Sequence, residues 1–197
     1  MGNDYASFLQ QTPWEKVWRL WLPRLIPAAI GLILIAAAIL KSMDMELFIR
    51  QIKSYGIISH YDLIVISAWA LIVIELALGA ALLLFYRPSA SIMVAALLIG
   101  IFALVNGWAW FNGGVEDCGC FGAWVKRTPA EGMIEDLVLL AALCMAWVIR
   151  PTIHRPIDFN PSGYKKWIIL TSCILGLLLP VVFGFSPLKF NKTKTNS

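Results

Sequence analysis

Residues 62–86 read DLIVISAWALIVIELALGAALLLFY, an apolar run of membrane-spanning length that opens on Asp62 and carries a second acidic residue, Glu75, near its centre. About 20 apolar residues are needed to cross a bilayer as a helix, and only helices or closed barrels satisfy the backbone there. Four further stretches, 23–41, 90–111, 133–149 and 166–186, have the same character, and the links between the first four are short. The chain is therefore expected to be an all-α integral membrane protein. Its first four spans would form an antiparallel four-helix transmembrane bundle, with a fifth C-terminal transmembrane helix beside it. Composition agrees: 59% of the 197 residues are hydrophobic and 14% charged, against about 45–50% and about 25% in soluble domains. The net charge of +4 is spread over loops and tail, which fits membrane flanks rather than a nucleic-acid surface.

Two amphipathic stretches predict short interfacial helices. Thr12-Pro13-Trp14-Glu15 resembles a capping box with proline at the first helical position, and Trp14, Val17, Trp18 and Trp21 follow at helical spacing. This either lies in the interface as a separate helix over 1–22 or continues into the first span. After that span, Asp44 is placed to cap a second helix, Phe48, Ile52 and Tyr55 form its apolar stripe, and Gly56 is placed to end it. Glu46, Arg50, Gln51 and Lys53 would form its polar face. The organisation is thus an interfacial helix (1–22), a four-span domain (23–149) with a loop at 112–132, and a tail region (150–197) holding the fifth span. Charged segment flanks and the absence of a cleavage signal in the first 25 residues predict that the first span is retained.

The 112–132 loop contains Asp117-Cys118-Gly119-Cys120-Phe121-Gly122. Two cysteines separated by one glycine close only a very small disulfide ring, which departs from relaxed geometry and opens easily. Such a bond suits exchange better than stapling, since it removes almost no loop entropy. Two free thiols, pairing with a partner chain, or a metal set with His60 and Asp117 are the competing readings, although structural zinc sites favour wider cysteine spacing. Glu116 and Asp117 disfavour a neighbouring thiolate unless Lys126 or Arg127 comes near. Cys144 and Cys173 lie deep in spans and are expected to pack as small apolar residues. Glu75, as an intramembrane carboxylate, needs a function or a partner, with Asn106 and Ser67 the partners considered. Glu135 and Asp136 are expected to favour the dipole at the start of the fourth span.

With Lys41 closing the first span, Glu75-Leu76-Ala77-Leu78-Gly79 in the second, and Cys118-Gly119-Cys120-Phe121-Gly122 after the third, residues 24–149 resemble the MauE branch of the DoxX-like membrane proteins. The resemblance implies a four-helix bundle that handles thiols and disulfides outside the membrane. Its namesake supports maturation of methylamine dehydrogenase alongside a thioredoxin-like partner. It also implies that Cys118 and Cys120 are the redox pair, and that Lys41 and Glu75 are recurrent polar positions. The fifth span and the aromatic amino-terminal stretch depart from that pattern.

The expected function is a thiol–disulfide redox component of the bacterial inner membrane. It would exchange electrons with a periplasmic thioredoxin-like protein or client during maturation of an exported protein. Charge does not set the sidedness, as eight Lys/Arg flank each side; the periplasmic placement of the loop follows from the chemistry. The alternatives are a non-catalytic subunit or assembly factor of a larger membrane complex, and a quinone-linked oxidoreductase of the vitamin K epoxide reductase or DsbB type. The last would make quinone the cofactor, yet those enzymes use Cys-x-x-Cys pairs. No metal is expected.

Overall fold

A computed structural model describes residues 13–113, 127–149 and 163–183 of the chain, and among these every regular element is helical. The elements are α1 (Pro13–Met43), α2 (Met45–Ser54), α3 (Tyr61–Leu83), α4 (Pro88–Asn112), α5 (Pro129–Ile149) and α6 (Gly163–Val182). Five of them are long and apolar enough to cross a membrane: residues Trp21–Met43 of α1, and α3, α4, α5 and α6. At 1.5 Å per residue, 20 to 25 residues reach about 30 Å or more, the thickness of a hydrocarbon core.

Side chains that would be a liability in water cover the outside. Leu104 and Val148 are 76% and 80% exposed, which is the expected face toward lipid rather than an aggregation surface. Exposed aromatics sit near helix ends, with Trp108, Trp110 and Phe111 closing α4 and Tyr164 and Trp167 opening α6. Such rings mark the two interfaces of a spanning protein. The chain is a multi-pass membrane protein.

Packing makes a ring: α1 touches α3, α3 touches α4, α4 touches α5, and α5 returns to α1. The tightest place in it is a backbone crossing of α1 and α3. A Cβ on Gly31 would stand 2.8 Å from the carbonyl oxygen of Gly79, and one on Gly79 would stand 2.7 Å from that of Gly31. Small residues at such a crossing let helices approach where burial against lipid gives no hydrophobic gain. Gly31 meets Gly79 and Leu82 while Lys41 meets Glu75, so the two helices run in opposite directions. The core above and around the crossing is Ile30, Leu34, Leu78, Leu82, Ile92, Leu98, Ile99 and Leu143.

α6 lies outside this ring, against α3 and to a lesser extent α1. Its Gly176 packs on Val73, with a built Cβ only 3.0 Å from the Val73 Cα. Lys165 Nζ donates to the carbonyl of Leu84 at 3.0 Å, satisfying an acceptor at the C-terminal end of α3, where a cation also suits the helix dipole.

Three sequence expectations change. α1 runs unbroken from Pro13 to Met43, through Pro23 and Pro27, so residues 13–22 do not form a helix separate from the span. Proline inside a spanning helix is tolerated where neighbours re-satisfy the freed carbonyl, and Pro27 is fully buried in the packing. The fourth span starts at Pro129 rather than 133, which places Glu135 and Asp136 in its second turn. Gln51, expected on the polar face of the short helix, is 7% exposed. The buried stripe of that helix is Met45, Phe48 and Ile49 together with Gln51, because position 51 follows 48 by three residues and shares its face.

Candidate functional site

The short helix α2 forms as its residues suggest. Asp44 caps it by accepting from the Leu47 N–H at 3.0 Å, and Gly56, at φ +69°, follows its end in the left-handed region that glycine adopts without strain. Its apolar face does not lie on the bundle from outside. Met45, Phe48 and Ile49 pack with Ala38, Ile64, Ala68 and Ile72 in one buried cluster, so α2 plugs the bundle end between α1 and α3.

Under this plug sits an ion pair. Lys41 Nζ donates to Glu75 Oε1, and the two residues are 4% and 0% exposed. The geometry follows from the crossing. Side chains on a helix tilt toward its N-terminus, so on antiparallel α1 and α3 the lysine and the carboxylate lean toward each other. Gly79 lies one turn beyond Glu75, and its missing side chain brings α1 close enough for the pair to close. The ammonium also stands over two rings, 5.3 Å from the Phe48 centroid and 5.2 Å from that of Phe102. A desolvated cation over an aromatic face gains about 2 kcal/mol. Glu75 Oε2 has no hydrogen-bond partner among the described residues.

A second polar set ties α2, α4 and α5. Tyr55 donates its hydroxyl to Asn106 Oδ1 at 2.9 Å, and Asn106 Nδ2 donates to Asp136 Oδ2 at 2.9 Å. Asn106 and Asp136 are buried. This corrects two sequence readings. Asp136 serves an interhelical hydrogen bond rather than the helix start, and Asn106 bonds Asp136 and Tyr55 rather than Glu75. Ser67, the other partner considered for Glu75, donates to the Leu63 carbonyl of its own helix.

The start of α5 is held by a different pair of residues from those expected. Thr128 N–H donates to Glu131 Oε2 at 2.9 Å, and Glu131 N–H donates to Thr128 Oγ1 at 3.3 Å. This reciprocal arrangement is a capping box with Pro129 at the first helical position. The string Thr128-Pro129-Ala130-Glu131 is the sequence cue for it. Glu135 pairs with Arg127, the residue that closes the cysteine-bearing connection.

Lys41, Glu75, Asp136, Arg127 and Glu135 converge on one cavity of about 360 Å3 between α1, α4 and α5. Of the residues singled out from the sequence, the structure brings together Lys41 and Glu75 directly, and Asn106 through Asp136 on the cavity wall. Asp117, Cys118, Gly119, Cys120, Phe121 and Gly122 lie outside the described residues. The connection that contains them leaves α4 at Gly113 and rejoins at Arg127, and both of these anchor points are at the bundle end that carries the polar network. His60 precedes α3 and is exposed. Among the described residues no group of three or more His, Cys, Asp or Glu is placed to hold a metal ion. Cys144 is exposed on α5 and Cys173 half-buried on α6, both as free thiols, in positions that face lipid or a neighbouring helix.

Comparison with known proteins agrees with this region. The family model described as methylamine utilisation protein MauE matches residues 19–149, which takes in α1 from its second turn, the plug, the polar network, the cysteine-bearing connection and all of α5. Among curated proteins the chain is similar to "Protein TlpB" of Flavobacterium psychrophilum, 31% identical over 139 residues, which is 66% of this chain and 37% of that protein. The chain thus spans little more than a third of the length of the curated relative it matches. No solved structure matches it. With two thirds of its length matched by the family model, across the five helices that build the network and its plug, the chain belongs to the MauE family.

Proposed function

We propose that the protein is a thiol–disulfide component of the bacterial inner membrane, working through Cys118 and Cys120 at the periplasmic face. Its partner in exchange is a thioredoxin-like protein or an exported client in need of maturation. Membership of a family named for methylamine utilisation supports a maturation role of the kind the family resemblance implies. In one exchange a thiolate attacks a sulfur of the opposing disulfide, a mixed disulfide forms, and the second thiol of the attacking pair resolves it. Two electrons and two protons move from the dithiol that is oxidised to the disulfide that is reduced. The direction follows the relative potentials of the two pairs.

The observation that carries this reading is the position of the network. The connection bearing Cys118-Gly119-Cys120 is anchored at Gly113 and Arg127, on the end of the bundle where the Lys41–Glu75 pair and the Tyr55–Asn106–Asp136 chain are buried. Buried ionic and hydrogen-bonded groups are expensive in a membrane and mark functional regions by default. Here they fix α1, α3, α4 and α5 at the place where the connection leaves and returns, which gives the exchanging pair a rigid base. The closed ring of contacts among α1, α3, α4 and α5 supports the antiparallel four-helix, DoxX-like arrangement, with residues 23–149 as the working domain and α6 as an addition to it.

The test is the double substitution Cys118→Ser/Cys120→Ser in the native host. Loss of client activity, with the client's cysteines accumulating in a non-native redox state, is the expected result. Normal client disulfides and activity with the variant protein present in the membrane would sink the redox reading and leave a purely structural subunit of a larger complex.

A further inference from the structure

The cavity between α1, α4 and α5 takes no part in the thiol exchange above, and its chemistry points to a ligand. At about 360 Å3 it falls within the ~300–1,000 Å3 range of small-molecule sites. Ile33, Leu34 and Ala37 of α1, Ile99 and Phe102 of α4 and Leu139 of α5 give it an apolar wall. Glu75 reaches this wall fully buried, with Oε1 held by Lys41 and Oε2 without a donor among the described residues. A buried carboxylate oxygen with no donor is costly, and because Oε2 is itself closed off a ligand that brings a donor satisfies it by displacing part of the wall.

Two further observations define that ligand. Ile134 and Val138, also on the cavity wall, are 57% and 62% exposed, so the cavity borders the face of α5 that lipid covers. The ligand reaches it from the bilayer and can leave an apolar tail there. The wall also holds three carboxylates, Glu75, Glu135 and Asp136, against two cations, Lys41 and Arg127, each of which is paired with a carboxylate. A phosphate head would meet this negative excess in a desolvated place, which charge burial disfavours. An uncharged head that donates a hydrogen bond fits.

We propose that this cavity binds an uncharged lipid whose hydroxyl head donates to Glu75 Oε2 while its tail passes Ile134 and Val138 into the bilayer. Hydroquinones and diacylglycerols both have this chemistry. The binding does not depend on the thiol reaction, and its test leaves Cys118 and Cys120 untouched.

The full chain in lipid nanodiscs is titrated with four probes and bound lipid is counted by native mass spectrometry. The probes are a decyl-substituted benzene hydroquinone, its dimethyl ether, dioleoylglycerol and dioleoyl phosphatidic acid. A hydrogen bond to a charged acceptor is worth roughly a factor of ten or more in affinity. The hydroquinone or dioleoylglycerol is therefore expected to bind about tenfold or more tighter than the ether and the phosphatidic acid. Whichever of the two binds tighter names the source. Ala37→Leu, which fills the cavity from the α1 wall and keeps both charges, should weaken it about tenfold or more. Lys41→Met/Glu75→Leu, which replaces both charges with apolar groups of similar volume and so keeps the fold, should bring the hydroquinone-to-ether ratio to about one. Equal binding of hydroquinone and ether by the native chain, with dioleoylglycerol no tighter, overturns the proposal. So does tightest binding by phosphatidic acid, or a hydroxyl preference that survives both variants.

Discussion

Replacing Lys41 with methionine should destabilise the protein more than any other single change to its polar residues. Methionine matches the length of the aliphatic stem, so packing against Phe48 and Phe102 is largely kept while the charge is lost. Glu75 then stands fully buried with neither oxygen bonded, since Oε2 already has no partner among the described residues. Removing one member of a buried pair costs about 3–5 kcal/mol. Coulomb's law gives a similar size, about 4 kcal/mol for unit charges 4 Å apart at an effective dielectric of 20. The reverse change, Glu75→Leu, should cost less, because the stranded ammonium keeps its two ring faces at 5.2 and 5.3 Å, worth about 2 kcal/mol when desolvated. The double variant should recover most of the loss, as apolar replacement of a whole buried pair is often neutral or stabilising. A double-mutant cycle on reversible unfolding in bicelles measures all three. Coupling of about 2–3 kcal/mol or more, with Lys41→Met the worse single change, is expected. Additive single effects within about 0.5 kcal/mol would refute the pairing as a stabilising contact.

Other consequences follow from neighbouring contacts. Gly79→Leu should prevent correct assembly, since even a Cβ there lies 2.7 Å from the Gly31 carbonyl and from Ile35 Cγ1; loss of monodisperse protein after detergent extraction checks it. Tyr55→Phe removes one hydrogen bond to Asn106 and should cost about 1 kcal/mol, with faster amide exchange in residues 45–55 as the local readout. Asp44→Ala removes the cap on Leu47 and should cost about 1 kcal/mol, while Asp44→Asn, which keeps an acceptor, should restore most of it in the same unfolding assay.

The spans and the short capped helix were legible because each depends on local pattern alone. Apolar length decides the first, and Asp44 with Gly56 brackets the second. What the sequence left open depends on how helices slide past each other. Glu75 needed a partner, yet its choice of Lys41 rests on the Gly31–Gly79 crossing, a contact between residues 48 apart in the chain. The same is true of Asp136, whose role as acceptor from Asn106 appears only when α4 and α5 are side by side. Apolar length alone starts this span at 133 and makes Asp136 a helix-start charge, whereas Thr128-Pro129-Ala130-Glu131 starts it four residues earlier. Gln51 reads as surface by its polarity, yet its three-residue spacing from Phe48 puts it on the buried face. In the sequence only the family resemblance marks Lys41; its physical role is that of a cation shared by one carboxylate and two rings.

The central claim concerns the pair at Cys118 and Cys120, and the most direct test is to catch it in the act. With Cys120→Ser, a mixed disulfide through Cys118 has no resolving thiol on this chain and should accumulate. Acid-quenched, alkylated membranes run without reductant should then show a heavier, reductant-sensitive form of the protein that holds a thioredoxin-like protein or an exported client, absent from the double serine variant. Failure to trap any such species, with Cys118 of the single variant recovered as a free thiol, would contradict the account.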